Sequence, residues 1–129
     1  MKIQLTSVFV EDQEKALQFY TNVLGFRKKQ DFPVGEFRWL TVVSPEGPQD
    51  VELLLEPNNN PAAKTYQQAI FEQGITLAAF GVDDIEKEYA QLCGKGVEFT
   101  VEPTDVGTAK IAVFNDTCGN LIQIYQVTA

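Results

Sequence analysis

The sequence of 129 residues contains no histidine and only two cysteines. Histidine is the most common protein ligand for transition metals and the usual general base near neutral pH. Its absence therefore excludes most histidine-dependent metal and acid–base chemistry. Cys93 and Cys118 lie 25 positions apart and form no CxxC pair, which argues against a zinc knuckle or a disulfide framework. We interpret both cysteines as buried thiols.

Basic residues and long apolar runs are also scarce. The 10 Lys and Arg residues are outnumbered by 18 Asp and Glu residues, and the formal net charge of −8 repels nucleic-acid phosphates and anionic lipids. No apolar run approaches the roughly 18 residues of a membrane span, and the N-terminus lacks the apolar core of a signal peptide. We therefore expect a cytoplasmic protein with neither nucleic acid nor a membrane as a partner.

An internal repeat organises the chain. Residues 5–15 are echoed by residues 77–87 at an offset of 72 positions. Each copy begins with an apolar segment typical of a strand. After an aspartate it continues into apolar residues spaced three or four apart, which is typical of an amphipathic helix. Residues suited to cap or end these helices are Asp12, Asp83 or Asp84, Gly25 and Gly96.

The repeat predicts the organisation β-α-β-β-β for each half, because the echo continues from residues 40–42 to 112–114 and from 51–53 to 122–124. Between the halves, a polar segment rich in Asn and Pro predicts a turn, and residues 62–73 predict a short helix that ends at Gly74. We predict one domain over residues 1–129, with module 1 over about 1–57, a linker and short helix over about 58–74, and module 2 over about 75–129.

Three segments carry a resemblance to a known family. They read VEDQEKALQFY over residues 10–20, LGF over residues 24–26 and NDTCGNLIQI over residues 115–124. With the two modules, they resemble the vicinal oxygen chelate superfamily, which includes glyoxalase I, bleomycin-resistance proteins and extradiol dioxygenases. The resemblance implies an α+β fold in which two βαβββ modules form an open, cleft-bearing mixed β barrel with flanking helices. The closing segment departs from the family pattern at three positions: Thr117 replaces a proline, Cys118 replaces a usually polar residue, and Gln123 replaces a glutamate.

The resemblance also implies which positions hold the family's metal. These positions are Leu5, Glu52, Leu77 and Gln123, and the repeat relates Leu5 to Leu77 and Glu52 to Gln123. A tight divalent site needs three or four nitrogen, oxygen or sulfur donors, whereas these residues supply two aliphatic side chains, one carboxylate and one amide. We therefore expect no metal and no other cofactor.

Strand alternation then predicts a pocket, since side chains two positions apart share a face. Ser7 and Phe9 share a face with Leu5, and Tyr125 shares one with Gln123. In the segment from Phe37 to Thr41, we expect the Trp39 side to face the cleft. The candidate ligand-binding residues are Ser7, Phe9, Trp39, Glu52, Gln123 and Tyr125. No catalytic residue is assigned.

Several candidates have alternative interpretations. Glu52 is a general base with a pKa raised by burial, an anchor for a cationic group of a ligand, or a residue at a partly exposed strand edge. Gln123 binds ligand or pairs with buried backbone groups. Trp39 and Tyr125 stack on a planar ligand or pack in the core. Arg38 pairs with an acidic ligand or with Glu36 or Glu52.

Two functions follow from the residues and the resemblance together. The first is a small-molecule-binding protein of the glyoxalase/bleomycin-resistance type with a metal-free aromatic cleft. Its ligand would be cationic or aromatic, and the family resemblance implies a homodimer. The alternative is a glyoxalase-like or dioxygenase-like enzyme, acting as a lyase, isomerase or oxidoreductase, that uses Glu52 with an atypical or absent metal shell.

Overall fold

The computed structural model describes residues 1–128 and contains eight strands and three α-helices among them. The strands are β1 (Leu5–Val10), β2 (Arg27–Val34), β3 (Phe37–Val43), β4 (Glu52–Pro57), β5 (Ala78–Gly81), β6 (Phe99–Asp105), β7 (Ala109–Asn115) and β8 (Leu121–Val127). The helices are α1 (Gln13–Gln18), which continues into a π-helical turn (Phe19–Val23), α2 (Pro61–Glu72) and α3 (Ile85–Gly94). The predicted α+β class and the repeated βαβββ order are confirmed.

The chain divides into two compact units, Met1–Tyr66 and Gln67–Ala129, and each holds one four-stranded sheet. The strand order is β1-β4-β3-β2 in unit 1 and β5-β8-β7-β6 in unit 2. In each sheet the first pair is parallel and the remaining pairs are antiparallel. Both sheets are mixed and open, as expected. The boundary between the units lies inside α2, within the predicted connection over 58–74.

The residues predicted to cap and end the helices have these roles in the structure. Asp12 accepts a hydrogen bond from the Lys15 amide at 3.0 Å, and Asp84 accepts one from the Lys87 amide at 3.2 Å. Of the two candidates for the second cap, the helix therefore uses Asp84. The glycines that follow the three helices, Gly25, Gly74 and Gly96, have φ values of 86°, 74° and 85°, a left-handed conformation that suits glycine.

The core of unit 1 lies between α1 and one face of its sheet. Its fully buried apolar residues are Val8, Val10, Ala16, Tyr20, Leu40, Val42 and Leu55. The Gln13 side chain donates hydrogen bonds to the carbonyls of Arg38, at 2.7 Å, and Leu55, at 2.9 Å. Since Gln13 belongs to α1, these bonds attach the helix to β3 and β4.

Arg38 reinforces this attachment from the same face of the sheet. Its guanidinium donates to both carboxylate oxygens of Asp31, at 3.0 and 2.7 Å, and to Glu14 in α1 at 2.9 Å. The bonds from Arg38 hold the pKa of Asp31 at about 2. The pKa of Glu14 is lowered by the hydrogen bond from Gln18 and, next, by that from Arg38. The expectation that Arg38 pairs with Glu36 or Glu52 is wrong, because β2 places Asp31 beside it.

Unit 2 has a corresponding core between α3 and its sheet. Fully or nearly fully buried residues here are Ile85, Leu92, Ala112, Phe114, Ile122 and Ile124. The Phe99 ring packs edge-on against Tyr89 of α3, at 4.7 Å between ring centroids, and against Phe114, at 5.6 Å. The repeated sequence pattern thus produces two similar cores.

The two parallel strand pairs differ in register. In unit 1, Leu5 lies beside Glu52. If the equivalences of the repeat applied to the register of unit 1, Leu77 would lie beside Gln123, but Gln123 pairs with Ala79 and the Leu77 amide donates to the Leu121 carbonyl at 2.9 Å. Relative to unit 1, β8 is therefore displaced by two residues along its partner strand, and the four family positions are not two equivalent pairs.

A buried polar turn joins β7 to β8. Asp116, which is fully buried, accepts hydrogen bonds from the Cys118 amide at 2.7 Å and from the Asn120 backbone and side-chain amides at 3.0 and 2.7 Å. Gln67 of α2 donates to Asn120 Oδ1 at 2.9 Å and to the Cys118 carbonyl at 3.3 Å. Between them, Thr117 has a φ of +64°. This network fixes the turn and anchors α2 to it.

Both Cys93 and Cys118 are free thiols. The expectation that both are buried holds for Cys118 and is wrong for Cys93, which is exposed. No helix within residues 1–128 combines the length and the apolar character of a membrane span.

Candidate functional site

One face of the unit 1 sheet carries most of the predicted site residues. Directly paired strand residues share a face, and the pairs include Leu5 with Glu52, Phe32 with Trp39 and Gln30 with Thr41. We call this surface the Glu52 face, and its residues are Leu5, Ser7, Phe9, Gln30, Phe32, Val34, Phe37, Trp39, Thr41, Glu52, Leu54 and Glu56. The prediction that Trp39 and Thr41 lie opposite Arg38 is confirmed, because Arg38 contacts α1 on the other face.

The Glu52 face is aromatic and partly uncovered. The rings of Phe32 and Trp39 are stacked, with centroids 6.4 Å apart and an interplanar angle of 23°. Phe32 is 48% exposed and Val34 is 54% exposed, while Trp39 is half-buried. Leu5 lies on the same face in β1, the strand at the opposite edge of the sheet, and is 45% exposed. Apolar side chains exposed together in this way mark surfaces that bind ligands or partners.

Glu52 lies on this face and is held by neighbours from two other strands. Its Oε1 accepts hydrogen bonds from Gln30 Nε2 at 2.6 Å and from Thr41 Oγ1 at 2.7 Å. The Lys29 ammonium lies 3.9 Å from Oε2. The hydrogen bonds from Gln30 and Thr41, together with the Lys29 charge, lower the pKa of Glu52 below its ordinary value.

This environment contradicts one interpretation of Glu52. A general base near neutral pH requires a carboxylate with a raised pKa, and we expected burial to raise it. Burial does oppose ionisation here, but the two hydrogen bonds outweigh it, and the pKa is lowered instead. The carboxylate is therefore a stable anion and a weak base.

The family's metal positions do not fit a divalent ion in this chain. Leu5 and Leu77 have no donor atoms, and the Oε1 of Glu52 already accepts two hydrogen bonds. Within residues 1–128, no group of three or more His, Cys, Asp or Glu residues is placed to hold a metal. We derive no metal-dependent step for this site.

The remaining predicted residues, Gln123 and Tyr125, lie in unit 2. Both are half-buried on β8 and face away from α3. The Tyr125 ring covers Gly81, where a Cβ would lie 3.4 Å from the Tyr125 hydroxyl. A cavity of about 310 Å³ lies beside Gly81 and Tyr125. Its lining residues are Gly81, Val82, Asp83, Tyr125, Gln126 and Val127. The structure thus places Ser7, Phe9, Trp39 and Glu52 on one sheet, and Gln123 and Tyr125 on the other.

Sequence reasoning missed several members of the Glu52 face. Gln30 and Phe32 join this face because β2 pairs with β3 across the turn at Gly35. The sequence alone did not predict this pairing, so neither residue was assigned to the site. Period-two alternation in both strands was the signal that could have found them. Glu56 pairs with Phe9, and both line a cavity of about 470 Å³ that extends to the start of α2.

Comparison with known proteins identifies the family. The model of the Glyoxalase/Bleomycin resistance protein/Dioxygenase superfamily matches residues 2–124. The chain belongs to this superfamily, which confirms the resemblance inferred from the sequence segments.

Three similar proteins illustrate the range of the superfamily. YurT of Bacillus subtilis (strain 168), whose function is uncharacterized, is 61% identical over 98% of this chain and 99% of its own length. A protein named probable lactoylglutathione lyase, from Synechocystis sp. (strain ATCC 27184 / PCC 6803 / Kazusa), is 30% identical over 96% of this chain and 94% of its own. The crystal structure of TnmS3, an antibiotic binding protein from Streptomyces sp. CB03234, is 28% identical with a TM-score of 0.75, over 99% of this chain and 97% of that chain.

Proposed function

We propose that this protein binds planar aromatic small molecules on the Glu52 face and acts as a binding protein. The observation that carries the proposal is the stacked pair of Phe32, which is 48% exposed, and Trp39, which is half-buried, on an open sheet face. Offset stacking of a third ring on such a pair buries apolar area and adds favourable ring–ring geometry. The similarity to TnmS3, an antibiotic binding protein, supports the same class of function.

The chemistry of the face favours binding over catalysis. Glu52 is held as an ionised acceptor by Gln30 and Thr41, so it is a poor proton acceptor at neutral pH. The chain has no histidine to take that role. We further propose that binding needs no metal or other cofactor and that the protein acts in the cytoplasm as a homodimer.

A second candidate function is a lyase, favoured by the similarity to the Synechocystis protein named probable lactoylglutathione lyase. Such an enzyme would use Glu52 with an altered metal shell or none. A lactoylglutathione lyase assay on the wild-type protein and on Glu52→Gln separates the two functions. Turnover that is lost in the variant, with folding intact, would favour the enzyme.

The binding proposal is tested by calorimetric titration with 9-aminoacridine, a planar tricyclic probe. We expect saturable binding to the wild-type protein and at least about tenfold weaker binding to Trp39→Leu, or ~1.4 kcal/mol, because the stacking surface is lost. Tyr66→Leu is the matched control, since Tyr66 is an exposed aromatic residue in α2, outside the Glu52 face. Equal losses in both variants, or no binding to the wild-type protein, would contradict the proposal.

A further inference from the structure

The two oxygens of the Glu52 carboxylate are in different environments. Oε1 accepts from both Gln30 and Thr41. Oε2 has only the Lys29 ammonium nearby, at 3.9 Å, and accepts no hydrogen bond from any residue in the described part of the chain. An ionised carboxylate has about four acceptor positions, and the Glu52 side chain is 16% exposed. It therefore retains acceptor capacity that a ligand can reach.

We propose that Glu52 Oε2 selects the ligand by accepting a hydrogen bond from its N–H or O–H group. Aromatic molecules with such a donor, neutral or cationic, are then bound, and aromatic carboxylates are rejected. This inference rests on the proposed function, because the aromatic part of the ligand is held by Trp39 and Phe32.

Rejection of anions follows from the negative charge of Glu52 and from the contacts that the nearby lysine and arginine side chains make with other groups. The Lys29 ammonium is the cation nearest Oε2, and its hydrogen bond to the Gln49 carbonyl at 2.6 Å holds it 3.9 Å from that oxygen, beyond hydrogen-bond distance. The Lys28 ammonium pairs with Asp31 at 3.1 Å, and Arg38 lies on the opposite face. A carboxylate placed beside Oε2 would therefore meet a like charge at short range.

The hydrogen-bond geometry also keeps Glu52 in position. Thr41 is fully buried. Its hydroxyl accepts a hydrogen bond from the Gln30 backbone amide at 3.1 Å and donates one to Glu52 Oε1. Gln30, Thr41 and Glu52 come from three adjacent strands of one sheet. Because this set is fixed before a ligand arrives, little ordering is needed on binding.

The test uses four naphthalene probes that differ at one substituent: 2-naphthol, 2-naphthylmethylammonium, 2-methoxynaphthalene and 2-naphthoate. Affinities are measured by nuclear magnetic resonance titration, following the aromatic proton signals of each probe. We expect 2-naphthol and 2-naphthylmethylammonium to bind at least about tenfold more tightly than 2-methoxynaphthalene, because a hydrogen bond to a charged group is among the stronger ones. We expect 2-naphthoate to bind most weakly.

Two variants test the role of Glu52. Glu52→Gln keeps an oxygen for Gln30 and Thr41 but presents an N–H₂ group in place of Oε2, so the preference for 2-naphthol over 2-naphthoate should fall at least about tenfold. Lys29→Met changes a side chain that is 40% exposed, so it should leave the fold intact. It should increase the preference, because the one cation near Oε2 is lost.

Glu46→Gln is the matched control. It removes the same charge from an exposed residue in the turn between β3 and β4, outside the Glu52 face, and should leave the preference unchanged. Equal effects of Glu52→Gln and Glu46→Gln, or equal binding of 2-naphthol and 2-naphthoate to the wild-type protein, would overturn the inference. Failure of all four probes to bind, together with 9-aminoacridine, would instead overturn the proposed function.

Discussion

At the scale of single residues, Arg38 and Asp31 form the strongest ion pair on the helix side of unit 1. The pKa of Asp31 falls from 3.8 to about 2, chiefly because Arg38 donates two hydrogen bonds to it. A carboxylate with a lowered pKa in the folded state stabilises the fold above its ordinary pKa. That contribution is lost as the pH falls from 3.8 toward about 2.

We therefore predict that Arg38→Met lowers the free energy of unfolding by ~1 kcal/mol near neutral pH. This value is small because the pair is partly exposed and screened by solvent. The loss should shrink as the pH falls toward about 2. Urea unfolding of the two proteins at several pH values measures it. Lys28→Met removes a second partner of Asp31 and should have a smaller effect. A loss independent of pH would contradict this assignment.

Thr117 is the one non-glycine residue with a positive φ among residues 1–128. Its φ of +64° costs a non-glycine residue ~1–2 kcal/mol. A glycine at this position avoids that cost, but it increases the conformational entropy of the unfolded chain, which lowers the free energy of unfolding by ~0.4–1 kcal/mol. Thr117→Gly should therefore be slightly more stable, by ~0.5 kcal/mol.

The proline found here in the family pattern should instead destabilise this chain. Proline fixes φ near −65° and removes the amide that Thr117 donates to Asn115 at 2.7 Å. We predict that Thr117→Pro lowers the unfolding free energy by ~3 kcal/mol, measured by urea denaturation. Equal or higher stability of the proline variant would show that the turn adopts another conformation.

Residues whose roles depend on near neighbours in sequence were predictable, and residues whose roles depend on other strands were not. The caps Asp12 and Asp84 act within three positions of themselves, so spacing identified them. The charge state of Glu52 depends on Gln30 and Thr41, which lie 22 and 11 positions away. No local pattern contains that information, and the expected direction of the pKa shift was therefore wrong.

At the scale of elements, α2 is attached to unit 2 through a buried glutamine. Gln67 is its only fully buried residue among those described, and it donates to Asn120 and to the Cys118 carbonyl. These two hydrogen bonds connect the helix to the turn between β7 and β8.

We predict that Gln67→Leu accelerates amide hydrogen exchange in α2 by about tenfold or more, because buried partners are left unsatisfied at ~1–3 kcal/mol. Exchange measured residue by residue over 64–72 tests this. Gln68→Leu is the control, since Gln68 is the exposed neighbour in the same helix. Similar exchange in both variants would indicate that α2 is held in another way.

Most elements were predictable from the repeat, but their relative registers were not. The repeated strand, helix and glycine signals located βαβββ in both halves, and the segment over 62–73 located α2 to within one residue at each end. The displacement of β8 along β5 depends on which hydrogen bonds the two strands form. Alternation fixes which face a side chain occupies, but it leaves a shift of two residues undetermined.

At the scale of the whole molecule, the superfamily is readable from the sequence and the ligand is not. Two modules and three motif segments identified the family, and the match over residues 2–124 confirmed it. The family's metal positions hold residues unsuited to a metal in this chain, so membership of the superfamily does not by itself assign the family's metal chemistry to it.

This leads to a prediction for metal ions. Chelator-treated protein should show no saturable increase in thermal stability with Zn, Ni, Co, Mn or Mg, because Glu52 is the one charged donor among the four family positions. A metal that binds the folded state would add ~2.7 kcal/mol at a hundredfold excess over its dissociation constant. Stabilisation by a stoichiometric metal that disappears in Glu52→Gln would contradict the prediction.

The displacement of β8 has a consequence for the two outer faces. A slip of one residue would exchange buried and exposed side chains along the whole strand, whereas a slip of two keeps every side chain on its original face. Leu5 therefore lies beside Glu52 in unit 1 and Ala79 beside Gln123 in unit 2, while both units bury an apolar core on the helix side of the sheet. A register shift by an even number of residues thus changes which side chains are neighbours on an outer face without exchanging the residues of the core.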